Sequence, residues 1–142
     1  MFFLKTLIIT SLFTVANLQG TVHETLIHDP NINMSKLPKE IVQGFVNGDA
    51  KVVGRHFNLS VELIFNESQG VYGKAQAEQL LRNFFINNAS VNGKFNYKPL
   101  HGSERDNAQY YIGELLTGKG LYRVTIYMKD QLIHRMRIES ND

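Results

Sequence analysis

YYIGELLTGKGLYRVTIYMKDQLIHRMRIE, residues 110–139, is the stretch that decides the fold class. Its apolar residues recur every second position, the period of a strand with one buried face. Tyr122, Val124, Ile126 and Met128 share one face, and Arg123, Thr125, Tyr127 and Lys129 the other. Continued through the last segment, the same alternation points Leu132, His134, Met136 and Ile138 inward and Arg135, Arg137 and Glu139 outward. Gly118-Lys119-Gly120 and Lys129-Asp130-Gln131 are short enough to be hairpin turns. Three long antiparallel strands follow, over Tyr110–Thr117, Leu121–Lys129 and Gln131–Glu139, with a fourth beginning at Phe95, Tyr97 and Pro99.

Upstream the period changes. Ala77, Leu80, Leu81, Phe84 and Phe85 form one stripe of a helix spanning Lys74–Asn88. Leu59, Val61, Leu63 and Phe65 alternate as a strand, with Ser60, Glu62 and Ile64 opposite, and Val71-Tyr72-Gly73 reads as a short return strand. Ser35 is a candidate cap ahead of a helix carrying Ile41, Val42, Phe45 and Val46, with Pro38 in its first turn and Asn47-Gly48 as its stop. Asp49 then caps a second short helix carrying Val52, Val53 and Phe57. Helices first and an antiparallel meander afterwards make an α+β domain, expected over residues 35–142.

Composition narrows the function classes. The 142 residues are 43% hydrophobic, carry a formal net charge of +2 and include no cysteine. The chain is too apolar and too weakly charged to be disordered. Without thiols there is no disulfide scaffold, zinc ribbon, thiolate iron–sulfur site or lipoprotein anchor. So small a charge excess is poor support for nucleic-acid binding, which is not expected. The first twenty residues read as a secretory signal: Lys5 precedes an apolar run, Thr6–Ala16, too short to span a bilayer, with cleavage after Ala16 or Gly20. Residues 21–34 read as a mobile leader or a docking strand. The expected mature protein is exported to the periplasm or beyond, soluble and without a membrane span. Four N-x-S sequons, at Asn33, Asn58, Asn66 and Asn88, matter only in a eukaryotic secretory route.

The order of motifs carries a resemblance. Phe45-x-x-Gly48-Asp49 is followed by Phe57, a strand, Gly70-x-x-Gly73, a helix ending Phe84-Phe85 and long strands. This order resembles the nuclear transport factor 2-like (cystatin-like) superfamily, a cone of helices on a curved sheet, over about residues 37–140. More narrowly, Val71–Ala77, Tyr111-Ile112-Gly113, Gly120–Val124 and Met136–Glu139 are similar to an uncharacterised family of small exported bacterial proteins. The resemblance implies a pocket between the concave sheet face and the helices. Enzymes of the superfamily, the ketosteroid isomerases, cyclases and dehydratases, place a carboxylate or a His–Asp pair there.

His134 is the sharpest candidate, a titratable ring on an otherwise apolar face, suited to general acid/base work or to a ligand hydrogen bond. The competing reading is a core histidine satisfied by a tyrosine or carbonyl. Glu62 falls opposite the apolar residues of its strand, while Asp49, Asp106 and Asp130 fall at a cap or in turns. Glu114 shares a face with Tyr110, Ile112 and Leu116 and is the one ambiguous carboxylate. A non-enzymatic binding or interaction module is therefore expected, with an apolar pocket lined by Phe45, Tyr122, His134 and Met136. The alternative is a small-molecule isomerase, dehydratase or hydrolase using His134 with Glu114 or Tyr110. No cofactor or metal is expected: His23, Glu24 and His28 lack zincin spacing, and His23 becomes an amino-terminal Cu(II) or Ni(II) ligand only after cleavage at Gly20. Gly118-Lys119-Gly120 joins strands and is no phosphate cradle. The polar sheet face, with Lys98, Arg123, Arg135 and Arg137, reads most simply as a solvated face of mixed charge; its other readings are a surface for an envelope partner, for an anionic polymer or for a homodimer through the sheet.

Overall fold

The computed structural model of the protein describes residues 33–34, 36–90 and 92–141. The signal-type segment, the leader through residue 32, the Ser35 cap, and His23, Glu24 and His28 lie outside them.

Helix α1 (Lys39–Asn47) starts behind Pro38, whose φ of −49° and ψ of 135° keep it just outside the helix. The Pro38 carbonyl accepts from the amides of Ile41 and Val42. Gly48 ends the helix in the left-handed region at φ 61°, where a side chain would be strained. Asp49 then accepts hydrogen bonds from the Lys51 and Val52 amides, both 3.1 Å, and opens helix α2 (Ala50–Gly54). Phe57 does not belong to that helix. It begins strand β2 (Phe57–Phe65), because Ile133 pairs with Phe57 and its amide donates to the His56 carbonyl at 2.7 Å.

Strand β3 (Ser68–Gly73) returns antiparallel to β2, and helix α3 occupies Lys74–Asn88, the span its periodicity predicts. Strands β4 (Asn96–Arg105), β5 (Ala108–Thr117), β6 (Gly120–Lys129) and β7 (Leu132–Ser140) form the meander. The two-residue turns Asp106-Asn107 and Asp130-Gln131 both have positive φ, the geometry that matches hairpin twist. A short strand β1 (Asn33–Met34) pairs with Glu104 and Ser103 of β4. The sheet order is β1-β4-β5-β6-β7-β2-β3, antiparallel except where β2 runs parallel to β7. This is the expected α+β architecture, with the helices on one face of a curved, mostly antiparallel sheet.

The space between helices and sheet is filled by aromatic rings. Phe45 stacks on Tyr97 at 4.9 Å and meets the Phe85 edge at 6.0 Å. Phe85 packs on Phe95 at 5.2 Å, Phe84 stacks on Phe65 at 5.6 Å, and Tyr122 meets Phe84 edge-on at 5.2 Å. Offset and edge-to-face rings at these separations add to the stabilisation that burial provides.

Three irregularities shift the faces. β6 keeps the expected alternation, with Val124, Ile126 and Met128 buried. On β7 it breaks: Tyr127 pairs with Arg135 but Met128 with Ile133, leaving His134 as an extra residue. A one-residue slip exchanges the faces, so Ile133, not Leu132 or His134, enters the core. β2 and β7 lose register at the same place, between Phe57 and Glu62. Leu59, expected beside Val61 and Leu63, is therefore 83% exposed. Ile64 is buried although its register neighbour Arg137 faces outward. The third irregularity, between Pro99 and His101, lets Leu100 bulge from β4. Proline has no amide to give the ladder, which is why the ladder yields there.

Candidate functional site

The residues expected to line a pocket do not meet around one. Phe45 and Met136 are completely buried in the packed interior. Tyr122 faces inward, but its hydroxyl donates to Asn88 Oδ1 at 2.9 Å, while Asn88 Nδ2 donates to the Phe84 carbonyl at 2.8 Å. That pair satisfies a polar side chain only 7% exposed and ties the end of α3 to β6. His134 lies outside the core, its ring 6.2 Å from that of outward-facing Tyr127. The bulge is the cause: it removes His134 from the inward set that uninterrupted alternation predicts.

The alternative catalytic residues also sit outside the cone. Tyr110 is half exposed and packs on Tyr127 at 4.8 Å. Glu114 shares that outer face, opposite Lys98 of β4 and Arg123 of β6 in the register. Among the described residues, the side chains that β5, β6 and β7 send into the core include no carboxylate and no imidazole. No cluster of three or more His, Asp or Glu among them is placed to hold a metal ion.

An open cavity of about 340 Å³ lies instead at the mouth of the cone. Its wall is the β4–β5 pair around the Leu100 bulge, and Leu37, leading into α1, closes the far side. Glycines shape the wall: Gly102 presents no side chain beside Tyr97, Pro99 and Tyr111, and Gly113 of β5 lets the Tyr97 ring pack directly on the strand backbone. At Gly113 the approach is so close that a Cβ would lie 2.6 Å from Tyr97 Cζ. Tyr97 and Tyr111 are themselves 6% and 5% exposed, so their rings are fixed by packing before anything binds. Burial pushes the Tyr97 phenol's ionisation upward, keeping it a neutral donor. Lys36 and His101 stand at the rim. A concave apolar wall with the Tyr97 phenol in it suits a small, mostly apolar molecule carrying a hydrogen-bond acceptor.

Sequence reasoning missed this cavity because it treated β4 as uninterrupted. The available signal was Pro99 within an otherwise alternating strand, followed by Leu100-His101-Gly102 out of phase.

A second cleft, of about 310 Å³, lies on the outer sheet face over Thr125. Arg135 beside it is hydrogen-bonded to Glu62, and that guanidinium holds the Glu62 carboxyl below its ordinary range.

Against known proteins, residues 38–140 match the family model for a domain of unknown function, DUF4783. The chain is similar to a DUF4783 family protein from Bacteroides ovatus, at 26% identity and a TM-score of 0.67, covering 75% of this chain and 96% of that one. It is equally similar to one from Bacteroides uniformis, at 27% identity and 0.67, covering 75% and 99%. Rd1NTF2_04, a protein with a long sheet, aligns at 15% identity and 0.59 over 70% and 94%, a likeness of fold alone. No curated protein matches the chain.

Proposed function

The chain belongs to the DUF4783 family, a domain of unknown function with the nuclear transport factor 2-like fold, and we propose that it is an exported, non-enzymatic binding module. Its site is the mouth cleft, and its ligand a small, largely apolar molecule with a hydrogen-bond acceptor. The observation that carries the reading is the exchange of space within the cone. The interior, where a catalytic member needs a wet pocket and an acid/base pair, is filled by Phe45, Phe85, Tyr97 and Tyr122. An open, mostly apolar volume lies at the mouth, against pre-packed tyrosines. Export is supported by Lys5 and the apolar run Thr6–Ala16. No helix among the described residues is long and apolar enough to cross a membrane.

An isomerase, dehydratase or hydrolase built on His134 draws less support. A general base must reach the proton it moves, whereas His134, Tyr110 and Glu114 are spread over the outer face with no hydrogen bond among them.

The test is native mass spectrometry of the mature protein purified from the envelope fraction. The expected spectrum shows a chain beginning after Ala16 or Gly20 with an adduct that denaturation removes. Leu100 is 48% exposed, so Leu100→Asp leaves the fold intact and is expected to abolish the adduct. An adduct that survives Leu100→Asp contradicts the mouth as the site, and an unprocessed cytosolic chain contradicts export.

A further inference from the structure

The outer face of the sheet has its own chemistry, separate from the mouth. Cross-strand register sorts it into rows. One row runs Lys98, Glu114, Arg123, Glu139 across β4 to β7. The next passes through Ile112, Thr125 and Arg137, and the one beyond through Tyr110, Tyr127 and Arg135. The cleft spans these rows, with Thr125 as its floor. From Arg123 to Tyr127 the strand rises about 13 Å, room for one ring and its substituents.

The walls differ in kind. On one side Tyr110 and Tyr127 form a tilted aromatic pair, 4.8 Å between centroids, with Tyr110 half exposed. The other side is polar, where Arg137 pairs with Glu139 at 3.4 Å and Arg135 with Glu62. Among the described residues, the Arg123 guanidinium has neither an ion-pair nor a hydrogen-bond partner, although the register places it between Glu114 and Glu139. The cleft thus offers guanidinium donors, a carboxylate acceptor and hydroxyls that do both, beside an apolar ring surface.

That combination selects a ligand class. A hydroxyl group both donates and accepts, so a polyol needs donors and acceptors interleaved, as Arg137, Glu139 and Thr125 are. A ring with an apolar face gains by lying on an aromatic pair. Three guanidinia, Arg123, Arg135 and Arg137, stand against two carboxylates, Glu62 and Glu139, each already paired with an arginine, so an anionic substituent is favoured and the Arg123 guanidinium is left to hold it in a two-pronged hydrogen bond. We propose that this cleft binds a sugar ring bearing a carboxylate, a uronic acid unit, with the ring on Tyr110 and Tyr127 and the carboxylate at Arg123. A free acidic monosaccharide and a unit of an acidic polymer present the same chemistry.

The test is a backbone amide chemical-shift titration of the mature protein with sodium glucuronate, glucose, sodium acetate and trigalacturonate. Glucuronate is expected to shift the amides of Arg123, Thr125 and Tyr127 and to bind about tenfold more tightly than glucose or acetate. Arg123 and Tyr110 are surface residues, so Arg123→Gln and Tyr110→Ala preserve the fold, and each is expected to weaken glucuronate about fivefold or more. Tighter binding of trigalacturonate supports a polymer unit, and equal binding supports a single sugar. The proposal is overturned if acetate matches glucuronate, if glucose does, if no saccharide shifts these amides, or if Arg123→Gln binds as the parent does.

Discussion

Tyr122→Phe separates a structural hydroxyl from a ligand-contacting one. In the structure that hydroxyl donates to Asn88 Oδ1, and the other end of the amide is already engaged with the Phe84 carbonyl. Removing one oxygen leaves the ring in place, so the edge contact with Phe84 at 5.2 Å survives and no sizeable cavity opens. What is lost is one hydrogen bond, and what is left is a carbonyl oxygen on a side chain only 7% exposed. A buried acceptor without its donor costs about 1–3 kcal/mol. The assay is urea unfolding, where the midpoint falls and the slope stays constant because the exposed surface is unchanged. Asn88→Ala combined with Tyr122→Phe completes the cycle, with an expected coupling of about 1 kcal/mol, since neither group then awaits a partner. Additivity of the two substitutions within about 0.3 kcal/mol would show that the hydroxyl and the amide are independent and that Tyr122 Oη does not anchor Asn88.

Other consequences concern the core, a cap and pH. Phe45→Ala empties a fully buried site between Tyr97 and Phe85 and is expected to cost about 3–5 kcal/mol in calorimetry, whereas a side chain lining an open pocket would cost much less. Asp49→Ala releases the Lys51 and Val52 amides at the start of α2 and is expected to cost about 1 kcal/mol, read from the urea midpoint. His56 is held below its ordinary 6.5, chiefly by burial and against the pull of Glu40. The unfolded chain therefore takes up its proton first, so stability is complete above about pH 6.5 and declines as pH falls through the folded-state value. His56→Gln should flatten that limb, and an unchanged pH profile would exclude His56 as its source.

The legible and illegible parts of the sequence divide along local and non-local physics. Helix α3 was readable to its ends, since Ala77, Leu81 and Phe85 keep one period within a single segment. The Gly48 stop and Asp49 cap were readable too, because each acts on amides within a few residues. Strand β6 kept its alternation, and its two faces were assigned correctly from Tyr122 to Met128. His134 was not readable by that rule, because a bulge depends on how β7 meets β6 and β2 together. The warning was the three-residue step from Ile133 to Met136 between buried apolar positions. The parallel pairing of β2 with β7 joins residues more than seventy apart and has no local signature. The mouth cleft follows from such an event as well, since it exists where Pro99 interrupts the ladder and Leu100 is expelled.

The filled cone and open mouth are tested most directly by mapping a small phenolic probe, 4-propylphenol, onto the backbone amides by chemical shift. Shifts are expected to concentrate at Tyr97, Gly102, Tyr111 and Ile112 around the mouth. Shifts centred on Phe45, Val124 and Met136 would mean that the interior opens to ligands, contradicting a filled cone.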